Sequence, residues 1–103
     1  NVSMKSAQVE GDIAEAIKVA PKNAYLFYNR GNLYAAAKNY SRAIDDYSRA
    51  IEIDPNFAEA YLNRGLARCY SGKTTDGLHD FSKAGELGLY NAYAISKQLS
   101  RKK

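Results

Sequence analysis

The stretches YNRGNLY at residues 28–34 and LNRGLAR at residues 62–68 carry the same Asn, Arg and Gly, separated by 34 residues. When residues 24–57 are placed over residues 58–91, eight positions are identical, against about two expected from ordinary composition. They are Ala24, Asn29, Arg30, Gly31, Asp46, Ser48, Ala50 and Glu52, which return as Ala58, Asn63, Arg64, Gly65, Asp80, Ser82, Ala84 and Glu86. A period of this length predicts a repeat architecture.

The spacing of apolar residues in each unit predicts two helices joined by a tight turn. Across residues 24–37, and again across 40–54, apolar side chains recur every three or four residues, as on one face of a helix. The turn KN between them is too short for anything except an antiparallel hairpin. The second unit repeats the arrangement over 57–71 and about 75–87, so the sequence predicts an all-helical chain without a sheet.

The period also runs backwards from the first full unit. Asp12, Ala16, Ile17 and Pro21 precede Asp46, Ala50, Ile51 and Pro55 by the same 34 residues. We therefore expect one domain of about six helices, divided as follows. Residues 1–23 are the second half of a preceding repeat, 24–57 and 58–88 are full repeats, and 89–103 form a C-terminal capping helix with a basic tail.

Composition limits the classes of function. The chain has 103 residues, enough for one small domain, and a single cysteine, so an intrachain disulfide is impossible. Its net charge is +4, but three positive charges lie in RKK at 101–103, which argues against a nucleic-acid-binding face across the domain. No apolar run approaches the ~20 residues of a membrane span. No secretory signal is visible, so the cytoplasm is favoured while the compartment stays open.

At the repeated positions the chain resembles the tetratricopeptide repeat family. The first unit supplies that family's small and aromatic residues and its proline, namely Phe27, Gly31, Tyr34, Ala43, Tyr47, Ala50 and Pro55. It departs at Arg30, where the family often has Leu. The second unit matches at Tyr61, Gly65, Phe81 and Ala84, and it departs at Arg64, Arg68, Gly77 and Leu89, as suits a terminal repeat.

The resemblance implies an all-α, right-handed superhelix of antiparallel helix pairs, whose concave surface is lined by the first helix of each pair. It also implies a non-catalytic scaffold or adaptor, without cofactor or small-molecule substrate, that binds a peptide or protein segment in this groove. The expected groove residues are Tyr25, Tyr28, Asn29, Asn32, Glu59, Leu62, Asn63, Leu66, Tyr70, Tyr93 and Lys97. Their amides suit a peptide backbone and their rings suit side chains, although Asn and Tyr can also recur there for structural reasons.

One ligand known in this family is not expected. Family members that clamp the acidic C-terminal tail of heat-shock chaperones use Lys, Arg and Asn at positions that fall here on Tyr28, Asn32, Asn63, Tyr93 and Lys97. The two Asn and Lys97 fit that pattern, but two expected cations are Tyr. A carboxylate clamp needs its positive charges, so this chain lacks part of the required site.

The remaining letters of the repeated motif predict contacts inside the fold. Gly31 and Gly65 lie mid-helix, where Gly costs about 1 kcal/mol against Ala, so they indicate a close approach of the paired helix. The small residues Ala43 and Ala50 are expected opposite the first glycine. Arg30 is expected to form an ion pair with Asp46 or Asp12, and Arg64 to repeat it, because these acidic residues recur with the structural period.

Catalytic and metal-binding patterns are weak in this sequence. His79 is the only histidine, Cys69 has no sequence-local partner, and no Gly-rich phosphate loop is present, so neither an enzyme nor a metal site is predicted. Two alternatives to peptide binding stay open: self-assembly through the N-terminal apolar stripe Val9, Ile13, Ala16 and Ile17, and weak polyanion binding through SRKK with Lys97. A monomer is favoured over a homodimer, because one helix face seldom supplies the ~1,000 Å² of a stable interface.

Overall fold

The computed structural model describes residues 2–90 together with residues 94 and 98, and over this part the chain forms five α-helices and no strand. The helices are α1 (Val2–Val19), α2 (Ala24–Ala36), α3 (Tyr40–Ile53), α4 (Ala58–Tyr70) and α5 (Thr74–Glu86). The predicted all-helical fold is confirmed, with bounds close to those read from the sequence. Most of the predicted sixth helix, 89–103, lies outside the described residues.

Side-chain hydrogen bonds cap helices α2 and α3 at the positions where the sequence predicts that they begin. The side chain of Asn23 accepts a hydrogen bond from the backbone N–H of Tyr25 at 3.1 Å, and that of Asn39 accepts one from Arg42 at 3.3 Å. These contacts satisfy N–H groups that have no partner inside a helix. The turns then reverse the chain, so α2 packs against α3 and α4 against α5 as antiparallel hairpins.

The repeated glycines lie where the paired helices come closest. A Cβ added to Gly31 would lie 2.7 Å from the Tyr47 ring, and one added to Gly65 would lie 2.7 Å from the Phe81 ring. The predicted close approach is therefore confirmed, but aromatic rings occupy the space where Ala43 and Ala50 were expected. Both rings are almost completely buried, and each packs directly against the glycine of the partner helix.

The two helices of the second hairpin, α4 and α5, also lie very close together at a second pair of positions. Gly77 lies against Cys69, and a Cβ on Gly77 would lie 2.5 Å from its Sγ and 2.7 Å from the carbonyl oxygen of Gly65. One repeat earlier the same positions hold Ala35 and Ala43. The larger Cys on α4 is thus matched by the smaller Gly on α5, which explains why this repeat departs from the family pattern at Gly77.

The predicted ion pairs hold each hairpin together. Arg30 donates to both carboxylate oxygens of Asp46 at 2.8 and 2.9 Å, and this hydrogen bonding raises the pKa of Arg30 despite partial burial. Arg64 repeats the pairing with Asp80 at 2.9 and 2.8 Å. Asp46 and Asp80 are buried, whereas the alternative partner Asp12 is exposed. The first of the two expected arrangements is therefore confirmed.

The second ion pair contains an additional cation. Arg68 donates to Asp80 at 2.8 Å, so one buried carboxylate binds two guanidinium groups. One repeat earlier the equivalent of Arg68 is Tyr34, whose hydroxyl donates to Glu10 of α1 at 2.8 Å. The corresponding position for Arg68 is Ile44, which offers no carboxylate, so Arg68 binds Asp80 within its own repeat.

Helix α1 completes the fold by packing on α2. The hydrogen bond from Tyr34 to Glu10 joins the two helices and raises the pKa of the Tyr34 phenol. The apolar side chain of Val9 remains 45% exposed on α1. Among the described helices, none combines the length and the apolar character needed to cross a bilayer.

Candidate functional site

Helices α2 and α4, the first helices of the two full repeats, lie side by side and are joined by polar side chains. The amide nitrogen of Asn63 donates to the Tyr28 hydroxyl and to the Asn32 oxygen, both at 3.0 Å. The Tyr47 hydroxyl, reaching from α3, donates to the same Asn32 oxygen at 2.6 Å. Burial raises the pKa of the Tyr47 phenol, which keeps it a donor at neutral pH. Four side chains from three helices thus form one network.

Within the described part of the chain, the network leaves one hydrogen-bond donor and one acceptor without a partner. Among the described residues, neither the side-chain N–H₂ of Asn32 nor the side-chain oxygen of Asn63 has a hydrogen-bond partner. Neither atom is buried, because every buried side-chain nitrogen and oxygen in the described part of the chain has a partner. Two adjacent amides therefore offer a donor and an acceptor to a molecule that approaches from solvent.

An apolar pocket of about 230 Å³ opens beside these amides. It is lined by Asn32, Ala35, Tyr40, Tyr47, Asn63, Leu66, Ala67 and Tyr70. The rings of Tyr40 and Tyr70 stack with centroids 5.6 Å apart and form one wall. None of these described lining residues is charged, so they combine an apolar interior with a neutral polar edge between the two repeats.

The predicted groove residues fall into three groups in the structure. Tyr28, Asn32, Asn63, Leu66 and Tyr70 belong to the network or line the pocket. Tyr25, Asn29 and Glu59 are exposed on the first helices, and Leu62 is half-buried. Tyr93 and Lys97 lie outside the described residues. The structure thus brings together five of the residues chosen from the sequence and leaves the role of the other six open.

The exposed Tyr25 is not isolated from the fold. Its ring lies against that of Phe57, with centroids 5.0 Å apart, and Phe57 also contacts Tyr28 at 4.8 Å. Tyr28 therefore packs partly into the core, although its hydroxyl belongs to the network. The ring of Tyr28 thus serves the fold, while its hydroxyl lies in the network between α2 and α4.

Sequence reasoning missed the contribution of α3 to the site. The spacing of apolar residues along α3 predicts that Tyr47 faces the core, and its ring is buried there, but its hydroxyl also donates a hydrogen bond to Asn32. The signal was present in the repeat itself. Asn32 and Tyr47 of the first unit correspond to Leu66 and Phe81 of the second, so a hydrogen-bonded pair is replaced by an apolar pair at both positions together.

Other reactive groups do not form a site in the described part of the chain. His79 is exposed, and burial raises the pKa of the Cys69 thiol, which makes it a poor nucleophile at neutral pH. Residues 2–90 contain no group of three His, Cys, Asp or Glu side chains that could hold a metal ion. The network and pocket between α2 and α4 are therefore the candidate site.

Comparison with known proteins gives consistent matches. Two models of the tetratricopeptide repeat match residues 24–57 and 47–79. The chain is similar to the small glutamine-rich tetratricopeptide repeat-containing protein 2 of Saccharomyces cerevisiae, at 34% identity over 84 residues. That alignment covers 82% of this chain and 24% of the yeast protein, so the chain spans about a quarter of that relative's length.

Solved structures show the same fold. The tetratricopeptide domain of Arabidopsis OM64 superposes with a TM-score of 0.87 at 27% identity, covering 97% of this chain and 84% of that domain. The first tetratricopeptide domain of Spaghetti (RPAP3), solved with the HSP90 peptide SRMEEVD, gives a TM-score of 0.86 at 22% identity and covers 97% and 81%. The fold is a helical solenoid that generally serves as a non-catalytic scaffold for protein interactions. The chain belongs to the tetratricopeptide repeat family.

Proposed function

We propose that this protein interaction module binds a peptide or protein segment on the face formed by α2 and α4, and that it does so without catalysis. The proposal rests on the donor of Asn32 and the acceptor of Asn63, which have no partner among the described residues and lie at the edge of an apolar pocket. An extended segment presents an N–H, a C=O and a side chain in close succession, and these are the groups that such a surface complements. Exposed amides beside apolar surface are a common basis for peptide recognition.

The acidic peptide seen with the Spaghetti domain is not the ligand that this face favours. Asn32 and Asn63 match the amides of a carboxylate clamp, but Tyr28 stands at a position where such a clamp has a cation. Its hydroxyl already accepts a hydrogen bond from Asn63. Tyr93, at the second such position, lies outside the described residues. Without a cation at Tyr28, binding of a carboxylate at this face loses a charge-assisted contact.

Site-directed photo-crosslinking tests the proposal in a native lysate. Replacing Tyr70, which is 71% exposed at the pocket, with p-benzoylphenylalanine places the reactive group at the face without disturbing the core. The same replacement at Val19, 82% exposed at the end of α1, is the matched control. We expect discrete adducts at position 70 that are absent at position 19. Equal labelling at both positions, or none at position 70, would refute binding at this face.

A further inference from the structure

We propose that the pocket between α2 and α4 takes one neutral apolar side chain from an internal stretch of an extended partner segment. Asn32 and Asn63 bind the backbone N–H and C=O of one residue of the same segment. This inference rests on the proposed function and specifies its ligand class. Recognition depends on an apolar anchor and on backbone hydrogen bonds, and it requires neither a free C-terminal carboxylate nor acidic side chains.

The size of the pocket fits one large side chain. A buried cavity of about 150 Å³ is enough to hold a benzene molecule. The present pocket of about 230 Å³ therefore has room for the side chain of Leu, Met or Phe together with its Cβ. Ala35, Leu66 and Ala67 contribute apolar surface to the lining, and the stacked Tyr40 and Tyr70 rings form a wall that suits aromatic or aliphatic contact.

The lining of the pocket disfavours a charged anchor. No Lys or Arg lies among the eight described residues that line it, so a carboxylate beside them would lose water without gaining an opposite charge. The same holds for an ammonium group, because these eight residues include no acidic one. Burial of an apolar side chain is the favourable alternative, since it removes apolar surface from water without breaking hydrogen bonds.

The polarity of the two amides distinguishes the backbone of an internal residue from a chain end. Asn32 offers a donor, and Asn63, 3.0 Å away through its own nitrogen, offers an acceptor. One residue of an extended segment points its N–H and its C=O to the same side and can pair with both. A terminal carboxylate has only acceptors, so it would face the Asn63 oxygen with like partial charge. The fixed network through Tyr28 and Tyr47 holds the amides in this orientation.

A peptide library measures these preferences directly. Immobilised N-acetylated octapeptides of randomised sequence are each made with a C-terminal amide and with a free carboxylate, and they are probed with the purified chain. Four variants are compared with wild type: Leu66→Glu and Leu66→Ala in the pocket, and Val19→Glu and Val19→Ala as matched controls on exposed apolar residues. Circular dichroism of each variant checks that it is folded.

We expect the strongest peptides to share Leu, Met or Phe at one position, and their amide and carboxylate forms to bind alike. Leu66→Glu should weaken them by about tenfold or more and Leu66→Ala by a smaller factor, as loss of an apolar contact predicts, while both Val19 variants bind as wild type. Peptides that need a free carboxylate or acidic residues, yet are weakened by Leu66→Ala, would overturn this inference and leave the proposed function standing. Binding that neither Leu66 variant changes, or no binding by any peptide, would overturn both.

Discussion

Gly31 and Gly65 set the distance between the paired helices, because each lies against an aromatic ring of its partner. Gly31→Ala would place a methyl group 2.7 Å from the buried Tyr47 ring, so we expect a loss of stability of about 1–3 kcal/mol through overpacking. Gly11→Ala is the matched control, since nothing lies within 4 Å of its Cβ and a helical Gly→Ala change gains about 0.5–1 kcal/mol. Urea denaturation compares the two. A midpoint raised by both substitutions would show that Gly31 does not seat the ring.

We expect Asp80 to contribute more to the stability of the second hairpin than Asp46 contributes to that of the first. Asp80→Ala would leave the mostly buried Arg64 and Arg68 facing each other without a counter-charge, and breaking such a buried pair costs about 3–5 kcal/mol. Asp46→Ala leaves only one guanidinium, that of Arg30, without its carboxylate, so we expect a smaller loss of about 1–3 kcal/mol. Chemical denaturation gives both values. Equal losses would mean that Arg68 does not depend on Asp80.

At the level of single elements, each turn between paired helices needs one residue with the left-handed backbone conformation, in which φ is positive. Lys38 ends the first hairpin turn with φ +62°, and Gly72 occupies the equivalent place in the second with φ +88°. A non-Gly residue in this region costs about 1–2 kcal/mol, whereas Gly costs more conformational entropy in the unfolded chain, by about 0.4–1 kcal/mol. Lys38→Gly should therefore stabilise the protein by up to about 1 kcal/mol.

The matched control for this turn is Gly72→Ala, which forces an Ala into the same conformation and should destabilise by about 1 kcal/mol. Thermal denaturation of the two variants gives opposite shifts in Tm if the turns are equivalent. Should Lys38→Gly lower Tm, the Lys side chain would contribute something that its exposure in the structure does not reveal.

Helices and contacts that lie within one repeat were predictable from the sequence. The helices follow from apolar spacing, and the Arg–Asp pairs follow from charges that recur with the period, as Arg30 and Asp46 illustrate. Asn63 was harder to interpret, because its partners Tyr28 and Asn32 belong to the previous repeat and its bonds depend on how the repeats stack. Spacing along one helix contains no information about that contact, so the pocket could not be derived from it.

The residue that contacts Gly31 was predicted incorrectly from the sequence. Small residues are a common counterpart of a close helix approach, but here the Tyr47 ring fills the space opposite Gly31. The helical face of Tyr47 was predictable, whereas the direction in which its ring points depends on side-chain rotamers that the sequence pattern does not specify.

At the scale of the whole molecule, the surface of α1 decides whether copies associate. Val9 is 45% exposed, while Ile13 and Ile17 are half-buried, so little of the apolar stripe is free. A stable interface needs about 1,000 Å², which one partly covered helix does not supply, and we expect a monomer at micromolar concentration. Sedimentation velocity measures this. A dimer that dissociates in Val9→Glu would instead support self-assembly through α1.

Nuclear magnetic resonance of the ¹⁵N-labelled chain tests most directly whether function resides on the face of α2 and α4. The probe is the strongest amidated octapeptide from the library, added stepwise to the wild-type protein. The predicted result is that the backbone amide shifts concentrate at Asn32, Asn63, Leu66 and Tyr70, with little change along the outer surfaces of α3 and α5. Shifts centred on α1 or on the Arg–Asp side of the hairpins, with these four residues unaffected, would contradict the assignment of the binding face.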